Sequence, residues 1–192
     1  RLAGYLSGSN PDQNIALDVS DDDTISAKSP AAVAKKFNDL IFSEIDTEHY
    51  FTLVLAIIDI DTGYVVFTQA GHPYPAVQNA DGSVSFHGDG GLPIGLLPEA
   101  EFTDSYLTLR AGDRLLLASD GITECQNDEN KLLEDEGLAD LMTKYKDVPA
   151  NALLDSLIWE LSNYTKDGEF YADISAVMFE YNHQRKTDLA KN

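Results

Sequence analysis

Only one cysteine, Cys125, stands among the 192 residues. A lone thiol closes no intrachain disulfide and builds no cysteine-cluster zinc site, and it suits a reducing compartment such as the cytoplasm. Positive charge is scarce as well. Thirteen lysines and arginines face 33 aspartates and glutamates, a formal net charge of −20. A field of that sign repels phosphate backbones and anionic lipid, which argues against nucleic acid and membrane surfaces as partners. Long apolar runs are missing too: the longest, Leu53–Ile58, is far too short to span a bilayer. Several catalytic signatures are absent, among them Gly-x-Ser-x-Gly, His-Glu-x-x-His, the Walker lysine motif and a Rossmann glycine fingerprint. Gly88, Gly90, Gly91 and Gly95 are close together, but no helix start or lysine follows to hold a phosphate. Cys125 follows an acidic stretch, which raises a thiol's pKa and blunts its reactivity. What is present is ordinary globular composition, 43% hydrophobic and 24% charged, in a chain long enough to bury a core.

Breakers and charge divide the chain into three stretches. Residues 1–29 read as the tail of a helix, Arg1–Leu6, followed by a mobile polar loop, Ser7–Ser29, with four aspartates in Asp18–Asp23. That run is not an EF-hand loop, because its sixth position is Asp23 where glycine is needed and its twelfth is Ser29 where glutamate is needed. Residues 30–181 carry regular patterning. Ser29 can cap a helix with Pro30 at its first position, and Val33, Phe37, Leu40 and Ile41 follow at helical spacing. Phe51–Ile60 and Tyr64–Ala70 read as two strands joined by a tight turn at Asp61, Thr62 and Gly63, both apolar enough to be covered on both faces. Further strands are expected at Val84–Phe86, Phe102–Arg110, Arg114–Ser119 and Ile174–Tyr181. Two amphipathic helices lie between the last two. Leu138, Leu141, Met142 and Tyr145 mark one; Leu153, Leu154, Leu157, Ile158 and Leu161, in a helix starting at Pro149, mark the other. Residues 182–192 are polar and expected to fray. Several antiparallel strands followed by two helices and a last strand predict an α+β fold, an antiparallel β-sandwich with helices on its faces.

Two acidic segments could carry chemistry. Asp59-Ile60-Asp61-Thr62-Gly63 has some likeness to the Asp-x-Asp signature of haloacid-dehalogenase-type phosphotransferases, but Gly63 and the strand that follows at once favour a plain hairpin turn. Ser119-Asp120-Gly121-Ile122-Thr123-Glu124 follows the apolar strand Leu115-Leu116-Leu117. Alone, Asp-Gly is a turn dipeptide. A carboxylate at the mouth of a doubly apolar strand, however, is costly to desolvate and calls for a cation; a hard ion such as Mg2+ or Mn2+ prefers such oxygens. His72 reads as a turn residue, and His49, His87 and His183 have no partner at metal spacing. Trp159, beside the helical stripe, is expected to pack. Glu124 is expected to start the segment after the turn, with a supporting role near the ion as the alternative.

Taken in order, Phe51-Thr52 through Ala70-Gly71-His72-Pro73, Gly91-Leu92-Pro93-Ile94-Gly95-Leu96, Gly112-Asp113-Arg114-Leu115, Ser119 to Glu124, and Asp173-Ile174-Ser175 resemble the PPM-type metal-dependent serine/threonine phosphatases. The likeness is to the bacterial SpoIIE-like branch, often the output domain of response regulators. It implies a four-layer αββα sandwich and two Mn2+ or Mg2+ ions in a carboxylate cluster. It also implies attack of metal-activated water on phosphorus, with no phosphoenzyme. By motif match Asp120 is the metal-ligating, catalytic aspartate, and Gly121 lets the backbone turn so that the carboxylate reaches the site. The implied substrate is a phosphoserine or phosphothreonine regulatory protein, such as an anti-sigma-factor antagonist, with a receiver or sensor domain upstream and a cytoplasmic location. Two departures stand out. The family's Gly-Asp-x-x-Asp-like and Asp-x-Ser-Gly-His-Gly segments have no counterpart in residues 1–29, so the chain is expected to be the later, N-terminally incomplete part of such a domain and inactive by itself. The final motif reads Ala172-Asp173-Ile174-Ser175, with alanine at the family's ligand position. Asp173 cannot simply replace it on a strand, where neighbours face opposite ways, though at the strand entrance a metal role stays open. The alternative reading is a degenerate phosphatase fold that binds a signalling partner without hydrolysis.

Overall fold

Ser29 and Pro30 open the first long helix, as their residue types dictate. In the computed structural model, which describes residues 2–8, 14–20, 22–44 and 49–183, helix α1 runs over Pro30–Glu44. The Ser29 hydroxyl accepts the Ala32 amide at 3.3 Å, and Asp104 accepts that of Ala31 at 2.8 Å, so two N–H groups left over at the helix start are satisfied. The described residues divide into two compact units. One lies within Arg1–Ile57, Val66–His72 and Asp89–Tyr106, the other within Ile58–Val65, Pro73–Gly88 and Leu107–Asn192.

The first unit starts with a 3₁₀ turn, Leu2–Leu6, where a helix tail is expected. The polar stretch after it is not all loop. Strands β1 (Leu17–Val19) and β2 (Ile25–Ala27) pair antiparallel, Leu17 opposite Ala27 and Val19 opposite Ile25. The connecting turn closes where the Ser20 amide donates to the Thr24 carbonyl at 3.0 Å and the Asp22 carboxylate accepts the Thr24 amide at 3.2 Å. Most of β3 (Leu53–Ile58) and β4 (Tyr64–Ala70) and the first half of β7 (Ser105–Thr108) belong to this unit, and the strands pair in the order β3-β4-β7. The stripe Val33, Ala34, Phe37 and Ile41 of α1 is buried with Ala70 and Ile94, and Leu53 and Leu55 pack against it. Asn38 interrupts that stripe and is fully buried. Its amide donates to the Leu97 and Pro98 carbonyls at 2.9 and 3.1 Å, and its Oδ1 accepts the Gly95 amide at 2.8 Å. Gln69 accepts the Gly90 amide in the same way at 3.2 Å. The glycine-rich segment is thus spoken for by side chains of its own unit rather than being an open phosphate cradle.

The second unit contains the turn at Asp59–Gly63 and a four-stranded antiparallel sheet, β6-β5-β8-β9. Its strands are β5 (Ala76–Gln78), β6 (Val84–Phe86), β8 (Arg114–Ala118) and β9 (Ala176–Glu180). Gly63 has φ +70°, and a Cβ there would stand 2.3 Å from the Leu109 carbonyl oxygen, so glycine is required at that turn. Ala76, Leu116 and Ile122 share one core with Leu138 and Met142 of helix α3 (Glu134–Lys144) and Leu153, Leu157 and Leu161 of helix α4 (Ala150–Tyr164). In register, Leu116 faces Met178 and Ala118 faces Ala176, which carries that face across the sheet. The Arg114 guanidinium binds Glu180 at 2.8 Å, Gln78 at 3.1 Å and the Val148 carbonyl at 2.7 Å, tying three strands to the α3–α4 connection.

Several expectations need correction. Pro149 precedes α4 rather than opening it, because its ψ of 150° is extended. Trp159 does not pack; it is 62% exposed, since two residues beyond Leu157 the helix has turned its far side outward. β5 has no counterpart among the expected strands. Of the tail expected to fray, residues 184–192 lie outside the described residues.

Replacing Asn38 with alanine removes the partner of the Gly95 amide and of the Pro98 carbonyl and one of two donors to the Leu97 carbonyl, and is expected to destabilise the chain by about 2 kcal/mol. Urea unfolding measures this; an unchanged midpoint contradicts it.

Candidate active site

Strand β8 delivers the chain to the site. Ala118 is its last paired residue, opposite Ala176, and Ser119 is extended with φ −68° and ψ 159°. Asp120–Thr123 then makes a single helical turn, α2, closed by the Glu124 amide on the Asp120 carbonyl at 2.8 Å. Asp120 opens that turn, so the Asp-Gly pair starts a helical turn and not an isolated bend. Ile122 is buried in the core with Leu116, and the Cys125 thiol donates to the Gly121 carbonyl at 3.1 Å. Gly121 and Ile122 of the turn are buried, Thr123 is half-buried and Asp120 is exposed.

The last motif is drawn to the same place. The Ser119 amide donates to the Ser175 carbonyl at 2.9 Å, while the Ser119 hydroxyl accepts the Ser175 amide at 3.0 Å and donates to the Asp173 carbonyl at 3.1 Å. One serine therefore clamps both segments through main-chain groups. Gly121 makes the approach possible, since a Cβ there would lie 2.5 Å from the Asp173 carbonyl oxygen and 3.5 Å from the Ala172 Cβ. Its importance is close packing and not an unusual backbone angle. Ser119 belonged to the motif without a role of its own. A serine placed directly before the Asp-Gly pair, with both a donor and two lone pairs, is the signal that could have found it.

The structure brings Asp120, Gly121 and Asp173 into adjoining segments, and two reasons given for them change. Asp120 is exposed, so desolvation does not demand a cation there. Residues 172–175 precede β9, so strict strand alternation does not apply to Ala172 and Asp173, and both are exposed. Neither the Asp120 nor the Asp173 carboxylate has a hydrogen bond or ion pair among the described residues. Two unneutralised carboxylates offer hard oxygen donors of the kind Mg2+ and Mn2+ take. Among the described residues, however, no three His, Cys, Asp or Glu side chains converge as a metal site. Two carboxylates do not complete a two-ion centre, and no catalytic step is drawn through metal from these residues alone.

The other candidates have local duties. Asp59 Oδ1 accepts the Asp61 and Thr62 amides at 2.9 and 3.1 Å, and bonding first with the Thr62 hydroxyl holds its carboxyl below the ordinary range. It is the hairpin residue of the plain reading. His87 Nε2 meets the Ser85 hydroxyl at 2.9 Å, and burial lowers its pKa. The Cys125 thiol is indeed pushed up, but by burial and not by acidic neighbours.

These features match known proteins. The PP2C domain of SiaA from Pseudomonas aeruginosa superimposes with a TM-score of 0.70 over 81% of this chain and 62% of that one, at 16% identity, a likeness of fold. The phosphatase domain of SpoIIE from Bacillus subtilis, presoaked with Mn, gives a TM-score of 0.63 at 25% identity over 83% of this chain and 69% of that one. The fold is therefore the PP2C phosphatase fold, α+β with antiparallel sheets and helices. Residues 16–182 match the family described as Stage II sporulation protein E (SpoIIE), and the chain belongs to that family. The phosphoserine phosphatase RsbU of Bacillus subtilis is 27% identical over 118 residues, which is 60% of this chain and 35% of RsbU. The chain thus spans about a third of that relative's length.

Replacing Gly121 with alanine forces the Asp173 segment away and is expected to destabilise the fold by about 2 kcal/mol; Ser119→Ala is expected to cost about 1 kcal/mol. Denaturant titration of both variants checks the order, and a Gly121→Ala protein as stable as the parent contradicts the close approach.

Proposed function

We propose that this chain supplies the Asp120 portion of a metal-dependent protein-serine/threonine phosphatase. The observation that carries the reading is the Ser119 clamp, which holds the Asp120 turn against the final motif, with neither the Asp120 nor the Asp173 carboxylate paired among the described residues. In this reading Asp120 and Asp173 offer oxygen ligands to Mn2+ or Mg2+, and the remaining ligands come from groups outside the described residues. Gly121 and Ser119 position Asp120 without touching the reacting phosphate. The substrate is a phosphorylated regulatory protein, such as an anti-sigma-factor antagonist, in the cytoplasm, with a receiver or sensor domain in the same polypeptide. The phosphoserine phosphatase name of RsbU supports the reaction class.

A second reading has one observation in its favour. Alanine at 172 and, among the described residues, no cluster of three or more metal-binding side chains suit a phosphatase fold that holds a signalling protein without hydrolysis.

Turnover separates them. A longer form of this protein, supplied with Mn2+ and a phosphoserine peptide, is expected to release phosphate. Asp120→Ala is expected to lower the rate by about a hundredfold, while Asp59→Ala leaves it intact. Ala172→Asp is expected to tighten Mn2+ binding, read by calorimetry. Peptide binding without turnover under any divalent ion supports the binding module instead, and a rate indifferent to Asp120→Ala contradicts the assignment of that residue.

A further inference from the structure

Next to the clamp, within the second unit, lies a cavity of about 290 Å³. Gly121 and Ala172 belong both to its wall and to the candidate active site. Cys125, Leu132, Ala172 and the ring of Tyr171 make much of that wall apolar. Three polar side chains complete it, Thr165 buried and Glu124 and Gln126 exposed, and none has a partner among the described residues. Thr165 is only 6% exposed and its hydroxyl is buried with no hydrogen bond. The Glu124 carboxylate and the Gln126 amide have no hydrogen bond or ion pair among the described residues.

A buried hydroxyl without a partner costs about 1–3 kcal/mol, which a bound donor recovers. The chemistry of that donor follows from the wall. Among the described residues no lysine or arginine lines the cavity, and Glu124 gives it negative charge, so an anion is disfavoured. Glu124 and the carbonyl of Gln126 are acceptors, and Thr165 can accept as well. The complement is a cation with several donors on an apolar stem, which describes arginine: its methylenes suit Leu132 and Tyr171, and its planar fork can meet more than one acceptor. The chain's net charge of −20 adds a field of the same preference.

We propose that this cavity is a subsite for an arginine side chain of the phosphorylated protein substrate, within a few residues of the phosphoserine. It rests on the phosphatase reading, because its place in a substrate complex comes from sharing Gly121 and Ala172 with that site. Glu124 pairs with the guanidinium, and Thr165 accepts one of its N–H groups.

Synthetic peptides that differ only in arginine, alanine or glutamate two positions from a phosphoserine, and an unphosphorylated arginine peptide, test it by titration into the isotope-labelled chain. Both arginine peptides are expected to shift the amide signals of Glu124, Gln126, Leu132 and Thr165 and to bind about fivefold more tightly than the alanine peptide. Glu124→Gln is expected to erase that preference and Thr165→Val to weaken it without loss of stability, whereas Glu99→Gln, in the first unit, preserves it. Equal binding of all peptides, binding of none, or a preference that survives Glu124→Gln overturns the subsite. Turnover of the same peptides by the longer protein judges the phosphatase reading separately: turnover without arginine preference refutes the subsite alone. Arginine preference without turnover upholds the cavity's selectivity and refutes the phosphatase reading.

Discussion

The candidate site depends on one hydroxyl group. Ser119 Oγ accepts the Ser175 amide and donates to the Asp173 carbonyl, so two main-chain groups of the last motif, more than fifty residues away, are satisfied by a single side chain. Backbone groups at the end of a sheet must find partners, and here they find one that also fixes distance. Gly121 lets the approach happen, because anything larger than hydrogen would strike the Asp173 carbonyl. Ile122 anchors the same turn in the core. Asp120, at the start of that turn, stays exposed.

The two units satisfy buried polar groups by the same means. Asn38 in the first and Arg114 in the second are polar residues on packed surfaces, and each spends its donors on carbonyls or carboxylates brought in from distant segments. Such residues set register and loop position where apolar packing alone tolerates sliding. In the second unit this precision reaches the site directly, since Arg114 and Ser119 flank the same strand.

Much of this was legible in the residues. The Ser29-Pro30 helix start, the strand at Val84–Phe86 and the stripes of α3 and α4 follow from capping and periodicity. The phosphatase motifs gave the family and the fold, while the metal role they imply for Asp120, Gly121 and Asp173 belongs to the proposal. What escaped did so for physical reasons. β1 and β2 are mostly exposed on both faces, so no apolar alternation marks them and backbone pairing alone defines them. β5 is three residues long and ends in Gln78, a polar letter that reads as loop until its amide is seen bonded to the Met142 carbonyl and its oxygen to Arg114. The cavity beside Gly121 is assembled from α2, the end of α4 and the loop before β9, a convergence that no local pattern encodes.

The central claim is that the exposed carboxylate of Asp120 is a ligand and not merely the first residue of a turn. Anomalous diffraction at the manganese edge, from crystals of a longer form of this protein grown with Mn2+, addresses it directly. The account predicts a manganese peak within direct bonding distance of the Asp120 carboxylate. Manganese bound elsewhere, with Asp120 contacting only water, would contradict it.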